Sequence, residues 1–164
     1  MKSTKKTFKN IIFVYIIFVI QLFSRPAFAC IEGMTWGMDL SSVENHLGVM
    51  LNPIKNTQKE DLYEVKDFKM SDLPVLSLKL RIKNEEGLKQ IAYEIDYENM
   101  TEVLAGLRNR FGSPIGTSEI VDGNEPQQQW IWHTGVDVIT AIKSDKRPFI
   151  LSYKPSLLDP SFLG

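Results

Sequence analysis

Apolar residues recur along this chain at two spacings, one helical and one alternating. Leu40, Val43 and Leu47 share one face of a helix predicted over about Leu40 to Leu47. Asp39 stands where it can cap that helix, Ser41 with Glu44 offers an alternative capping box, and Gly48 supplies the left-handed residue that ends it. Met100, Val103, Leu104, Leu107 and Phe111 form the apolar stripe of a second helix over about Met100 to Phe111. Asn99 is its expected cap, Glu102 lies at the third helical position, and Gly112 and Pro114 stop it.

The alternating spacing predicts strands. Leu76, Leu78, Leu80 and Ile82 alternate with Ser77, Lys79 and Arg81, and Ile91, Tyr93, Ile95 and Tyr97 alternate with Ala92, Glu94 and Asp96. Each run has one face to bury and one to wet. The turn signal Asn84-Glu85-Glu86-Gly87 between them predicts an antiparallel hairpin, with a weaker strand over Leu62 to Phe68 beside it. After the second helix come a short edge strand over Ile115 to Val121, a loop over Asp122 to Pro126, and strands over Gln128 to His133, Val136 to Lys143 and Phe149 to Tyr153. The order α-β-β-β-α-β-β-β-β predicts an α+β domain, its two helices packed on one face of a mainly antiparallel sheet. It divides into two similar halves, each opening with a helix that ends in glycine. The domain is expected over residues 30–154, with 155–164 an extended tail carrying Pro155 and Pro160.

The first thirty residues follow neither spacing. Lys2, Lys5, Lys6 and Lys9 precede an apolar run from Ile11 to Phe23, and Ala27-Phe28-Ala29 stands directly before Cys30. This is the layout of a signal peptide over residues 1–29, with the basic end, the apolar stretch and the small-x-small cleavage site in order. The run of 13 residues is short for a membrane span, which needs about 20. Cleavage would leave Cys30 first. There it is either a free or interchain thiol on an exported protein of the periplasm or exterior, or the lipid-bearing cysteine of an envelope-anchored lipoprotein.

The leader changes the meaning of the composition. The 164 residues carry a net charge of −1, but every charge before residue 30 is positive, and the rest holds 14 Lys and Arg against 20 Asp and Glu, a net of −6. Nucleic acid is therefore not the expected partner. The 43% hydrophobic content excludes a disordered or collagen-like chain, and the single cysteine excludes a disulfide within the chain.

Recognisable catalytic motifs are missing. There is no His-Glu-x-x-His, Cys-x-x-Cys, Gly-x-Ser-x-Gly, Walker A or Gly-x-Gly-x-x-Gly pattern, and no cofactor or metal is expected. His133, beside the Thr134-Gly135 turn, is the candidate acid or base of an alternative reading as a small periplasmic enzyme, together with the acidic pairs Glu94/Asp96 and Glu85/Glu86. The aromatic residues offer a different candidate site. Trp130 and Trp132 share one face of a strand, and with Trp36 and Tyr93 they are either core or an exposed platform for a partner.

The segment Gly33-Met34-Thr35-Trp36-Gly37-Met38-Asp39-Leu40, followed by Val43 and Leu47-Gly48, resembles the opening of small exported bacterial domains, among them the outer-membrane assembly lipoproteins of the SmpA/OmlA type. Beta-lactamase inhibitor proteins share a related helix-plus-sheet repeat. Phe111-Gly112-Ser113-Pro114 resembles the end of a second unit, and Trp130-Ile131-Trp132 the strand after it. The resemblance implies a non-enzymatic domain that binds other proteins. The expectation is an exported envelope or secreted protein that acts by protein–protein contact, and an inhibitor of a secreted hydrolase is a further alternative. It meets the membrane only through its leader or a lipid on Cys30.

Overall fold

The computed structural model describes residues 33–54, 61–66, 68–70, 73–122 and 125–157. The leader and Cys30 lie outside the described residues, as does the tail beyond Leu157. What is described is an α+β fold built on one antiparallel sheet with two helices.

Helix α1 spans Leu40–Leu47 and α2 spans Met100–Phe111. At α1, the Asp39 side chain accepts from the Ser42 N–H at 2.7 Å, so Asp39 is the cap, and Gly48 closes the helix at φ 66°. Glu44 does not complete a capping box; its carboxylate accepts from the Leu51 N–H at 2.8 Å. At α2 the expected cap is displaced. Asn99 makes no side-chain cap bond, because the chain already coils in a 3-10 turn over Tyr97–Asn99. Asp96 starts that turn, accepting from the Glu98 N–H at 3.1 Å.

Among the described residues the strands are β1 (Asn52–Pro53), β2 (Leu62–Lys66), β3 (Lys69–Met70), β4 (Leu73–Lys83), β5 (Gly87–Ile95), β6 (Gly116–Asp122), β7 (Glu125–His133), β8 (Asp137–Ser144) and β9 (Phe149–Pro155). They lie in the order β1-β2-β4-β5-β9-β8-β7-β6, with β3 on β4. The observed element order exceeds the expected one by the two-residue strands β1 and β3, each too short to alternate visibly. Strand β7 begins at Glu125, inside the expected loop, and β9 runs on to Pro155, inside the expected tail. Strands β5 and β9 close the two halves of the chain, and they meet antiparallel in mid-sheet, Tyr93 opposite Leu151.

Register places the core. One row across the sheet reads Trp132, Ile139, Tyr153, Ile91, Leu80, Tyr63, and the next reads Trp130, Ala141, Leu151, Tyr93, Leu78, Val65. All but the half-buried Tyr63 are buried, and they join Val43 of α1 and Val103, Leu104 and Leu107 of α2 in one cluster. Small Ala141 lies between Trp130 and Leu151 and leaves room for the indole. The expected alternation fails at one place. A bulge between Val75 and Ser77 advances the register, so Val75 is buried and Leu76 is exposed. Tyr97 likewise leaves the strand for the 3-10 turn and is exposed.

The segment ahead of α1 is fastened to the sheet. Gly37 N–H donates to the Leu88 carbonyl at 3.0 Å, and Leu88 N–H donates to the Met38 carbonyl at 2.8 Å. The approach is so close that a Cβ on Gly87, at φ +67°, would stand 2.1 Å from the Gly37 carbonyl oxygen.

Candidate functional site

Three segments converge at one end of the sheet: the Gly33–Met38 stretch, the turn between β7 and β8, and the end of β9. Asp137 opens β8 at the same parity as Ile139 and Ala141, and is therefore carried into the core. Trp36 reaches it across 101 residues of sequence, its indole N–H donating to the carboxylate at 2.6 Å. The Thr134 hydroxyl accepts from the Asp137 N–H at 3.0 Å, and Thr134 N–H donates to the Asp137 carbonyl at 3.0 Å. Burial pushes the Asp137 carboxyl above its ordinary range, and the Trp36 and Thr134 hydrogen bonds and the nearby His133 offset this only in part. This acid was not singled out from the sequence. Its signal was a carboxylate at a position whose nearest strand neighbours of like parity, Ile139 and Ala141, are apolar.

His133 lies on the opposite face. Its Nδ1 accepts from the Gly135 N–H at 3.2 Å, which puts the ring proton on Nε2, and Nε2 then donates to the Ser156 hydroxyl at 2.7 Å. A general base would need the reverse, a bare Nε2 facing the hydroxyl. The ring instead braces the end of β9, where Ser156 N–H also donates to the Val136 carbonyl at 2.7 Å. Three of the four acids in the expected pairs are likewise held in structural contacts. Glu94 is held by the Lys79 ammonium and by the Ser77 hydroxyl at 2.6 Å, Asp96 caps its turn, and Glu86 pairs with Lys83 and Lys89, each at 3.1 Å. Burial raises the Glu94 carboxyl, but the Lys79 and Ser77 contacts outweigh it and leave the group below its ordinary range.

The aromatic platform is overturned by burial. Trp130 is 8% exposed, Trp132 1% and Tyr93 0%. The alternation of β7 has two possible phases, and core packing selects the one with both tryptophans inside. The Trp132 indole N–H donates to the Gly112 carbonyl at 2.9 Å and so ties β7 to the end of α2. Tyr93 meets Tyr153 edge to face at 6.3 Å, and burial pushes the Tyr153 hydroxyl up to about 12. Trp36 is half-buried on Asp137. None of the four is presented as a contact surface.

The residues that do face outward were missed. On the face opposite the tryptophans one row reads Gly116, Ile131, Thr140, Ser152, Ala92, Lys79, Glu64, and its neighbour reads Ser118, Gln129, Ile142, Ile150, Glu94, Ser77, Lys66. Ile131, Val138, Ile142 and Ile150 keep part of their surface accessible. By register Ile131, Val138 and Ile142 stand around Thr140, with Ile150 beside Ile142, and this apolar-rich patch is flanked by the Lys79–Glu94 pair on one side and by Gln129 and Ser118, whose hydroxyl donates to Gln129 at 3.4 Å, on the other.

Elsewhere, an open groove of about 340 Å³ lies beside the start of α1 and the end of β4. Two acids that line it, Asp39 and Glu44, are already engaged by backbone N–H groups. Among the described residues no group of three or more His, Cys, Asp or Glu could hold a metal ion, and no helix is long and apolar enough to cross a membrane.

No family model matches the chain, and no curated protein matches it. Among solved structures the chain is similar to a DUF4309 family protein, YjgB, from Bacillus subtilis, at 15% identity and a TM-score of 0.48, over 71% of this chain and 77% of that one.

Proposed function

We propose that this chain is an exported cell-envelope protein that acts without catalysis, by binding another envelope or secreted protein on the open face of its sheet. The observation that carries the reading is the patch of Ile131, Val138, Ile142 and Ile150 around Thr140, which keeps accessible surface while every large apolar side chain of opposite parity on β7, β8 and β9 is buried. In this reading both helices lie on the tryptophan face, because their buried residues share one cluster with Trp130 and Trp132. An apolar patch rimmed by polar residues is the usual form of a protein contact surface. The basic, apolar leader ending at Ala29 supports export to the periplasm or exterior. The structural employment of His133, Glu86, Glu94 and Asp96 favours binding over the enzyme alternative. An inhibitor of a secreted hydrolase that uses exposed aromatics is less favoured, since Trp130, Trp132 and Tyr93 are buried.

A photoreactive residue placed at Ile142 tests this. It is expected to join a specific protein in an envelope fraction, while the same residue at the exposed Arg108 on α2 does not. Equal adducts from both positions would overturn the proposal.

A further inference from the structure

The two margins of the sheet are built differently. At one margin stands β1, two residues long and containing Pro53. At the other stands β6, seven residues long with neither proline nor lysine, hydrogen-bonded on one side to β7 and unpaired on the other among the described residues. Short strands, prolines and lysines are among the devices that keep a sheet edge from pairing with another chain, and β6 has none of these three; its charges are the acids Glu119 and Asp122, which disfavour an acidic strand rather than a basic one. An open edge offers a row of backbone N–H and C=O groups at strand spacing. Only another extended chain satisfies such a row in full, so the backbone itself selects the kind of occupant.

The side chains narrow it further. Thr117, Ser118 and Glu119 are exposed, Ile120 is 41% exposed, and Ile115, just ahead of the strand, is 72% exposed. Glu119 has no cation partner among the described residues. Its cross-strand neighbour is Gln128, and the cation beyond that, Lys143, lies two strands away, near the Tyr97 ring. Adjacent strand residues point to opposite faces. Over Thr117–Ile120, the middle of this edge, Thr117 and Glu119 then offer a polar, negative face, and Ser118 and Ile120 a face with an apolar residue. The complement is an extended segment in which a basic residue alternates with an apolar one. Beyond the open-face reading, we infer that β6 is a strand-addition site for such a segment of another protein, which extends the sheet by one antiparallel strand. The charge of −6 outside the leader draws a basic segment toward it.

The test uses the processed full chain and three acetylated peptides: one alternating Lys and Val, the same sequence with alternate backbone nitrogens methylated, and one alternating Glu and Val. Amide hydrogen exchange and backbone NMR shifts are followed for residues 116–122. The Lys-Val peptide is expected to protect amides in that stretch and to leave those of β1 and β2 unchanged. The methylated peptide keeps its charge but cannot pair, so it should give no protection, and the Glu-Val peptide should not bind. Glu119→Lys, at an exposed position, should weaken Lys-Val binding roughly fivefold without altering the fold. Protection by the methylated peptide equal to that by its parent would reduce the effect to charge attraction and overturn the inference. So would protection confined to other strands. Protection of 116–122 that rises with protein concentration alone would assign the edge to a second copy of this chain, and would overturn it as well.

Discussion

Replacing Trp132 separates its packing from its hydrogen bond. Trp132 is 1% exposed, lies in a row with Ile139 and Tyr153, and donates to the Gly112 carbonyl at 2.9 Å. Trp132→Ala removes the whole indole from a site walled by sheet residues that have little freedom to collapse. The expected loss is about 3–5 kcal/mol, a large share of the 5–15 kcal/mol typical of a whole domain. Trp132→Phe keeps most of the ring but leaves the Gly112 carbonyl without its donor and a void where the larger ring stood, for a loss of about 1–3 kcal/mol. Urea unfolding followed by circular dichroism measures both, with the slope checked so that a midpoint shift can be read as stability. A Trp132→Ala protein within about 1 kcal/mol of the parent would refute the reasoning, because an indole that costs so little to remove is not in a packed core.

Other residues give equally direct outcomes. Gly87→Ala drives a Cβ against the Gly37 carbonyl at 2.1 Å in a left-handed conformation, so the Leu88 amide, bonded to Met38, should lose hydrogen-exchange protection; unchanged protection would contradict the close approach. The raised carboxyl of Asp137 contributes stability below the ordinary carboxylate range and loses it as pH rises through the folded value. Asp137→Asn, which keeps an acceptor for Trp36, should therefore gain relative to the parent as pH rises from the ordinary carboxylate range through the folded value, whereas Asp137→Ala should cost about 1–3 kcal/mol by stranding the indole N–H. The lowered carboxyl of Glu94 behaves in the opposite sense, its contribution present above the ordinary range and lost as pH falls through the folded value. Glu94→Gln should cost about 1 kcal/mol at pH 7 and nothing once the parent's Glu94 is protonated, as read by urea midpoints across that range.

Local signals made the two helices legible. Asp39 and Gly48 bound α1 as expected, and the stripe from Met100 to Phe111 marks α2 to the residue. The hairpin of β4 and β5 followed from alternation and a glycine turn, and β6 was legible as an edge. What could not be read depended on contacts distant in sequence. Alternation defines two faces but not which is covered, so Trp130 and Trp132 stayed open between core and surface until burial decided for the core. The bulge at Leu76 shifts the phase within a run that looks uninterrupted. Asn99 had the right chemistry for a cap, but Asp96 had already started the coil three residues earlier. The site was the least legible part. Ile131, Val138, Ile142 and Ile150 are ordinary strand residues until the register aligns them, and Asp137 gains its meaning only when Trp36 arrives from the far end of the domain.

The claim that the open sheet face binds a protein is tested most directly by titrating the partner captured at position 142 against the unmodified chain and against Ile142→Lys. The account predicts that the lysine, placed within the patch beside Ile150, weakens binding by at least about tenfold while the unfolding midpoint stays the same. Equal affinity for both proteins at equal stability would place the contact elsewhere and contradict it.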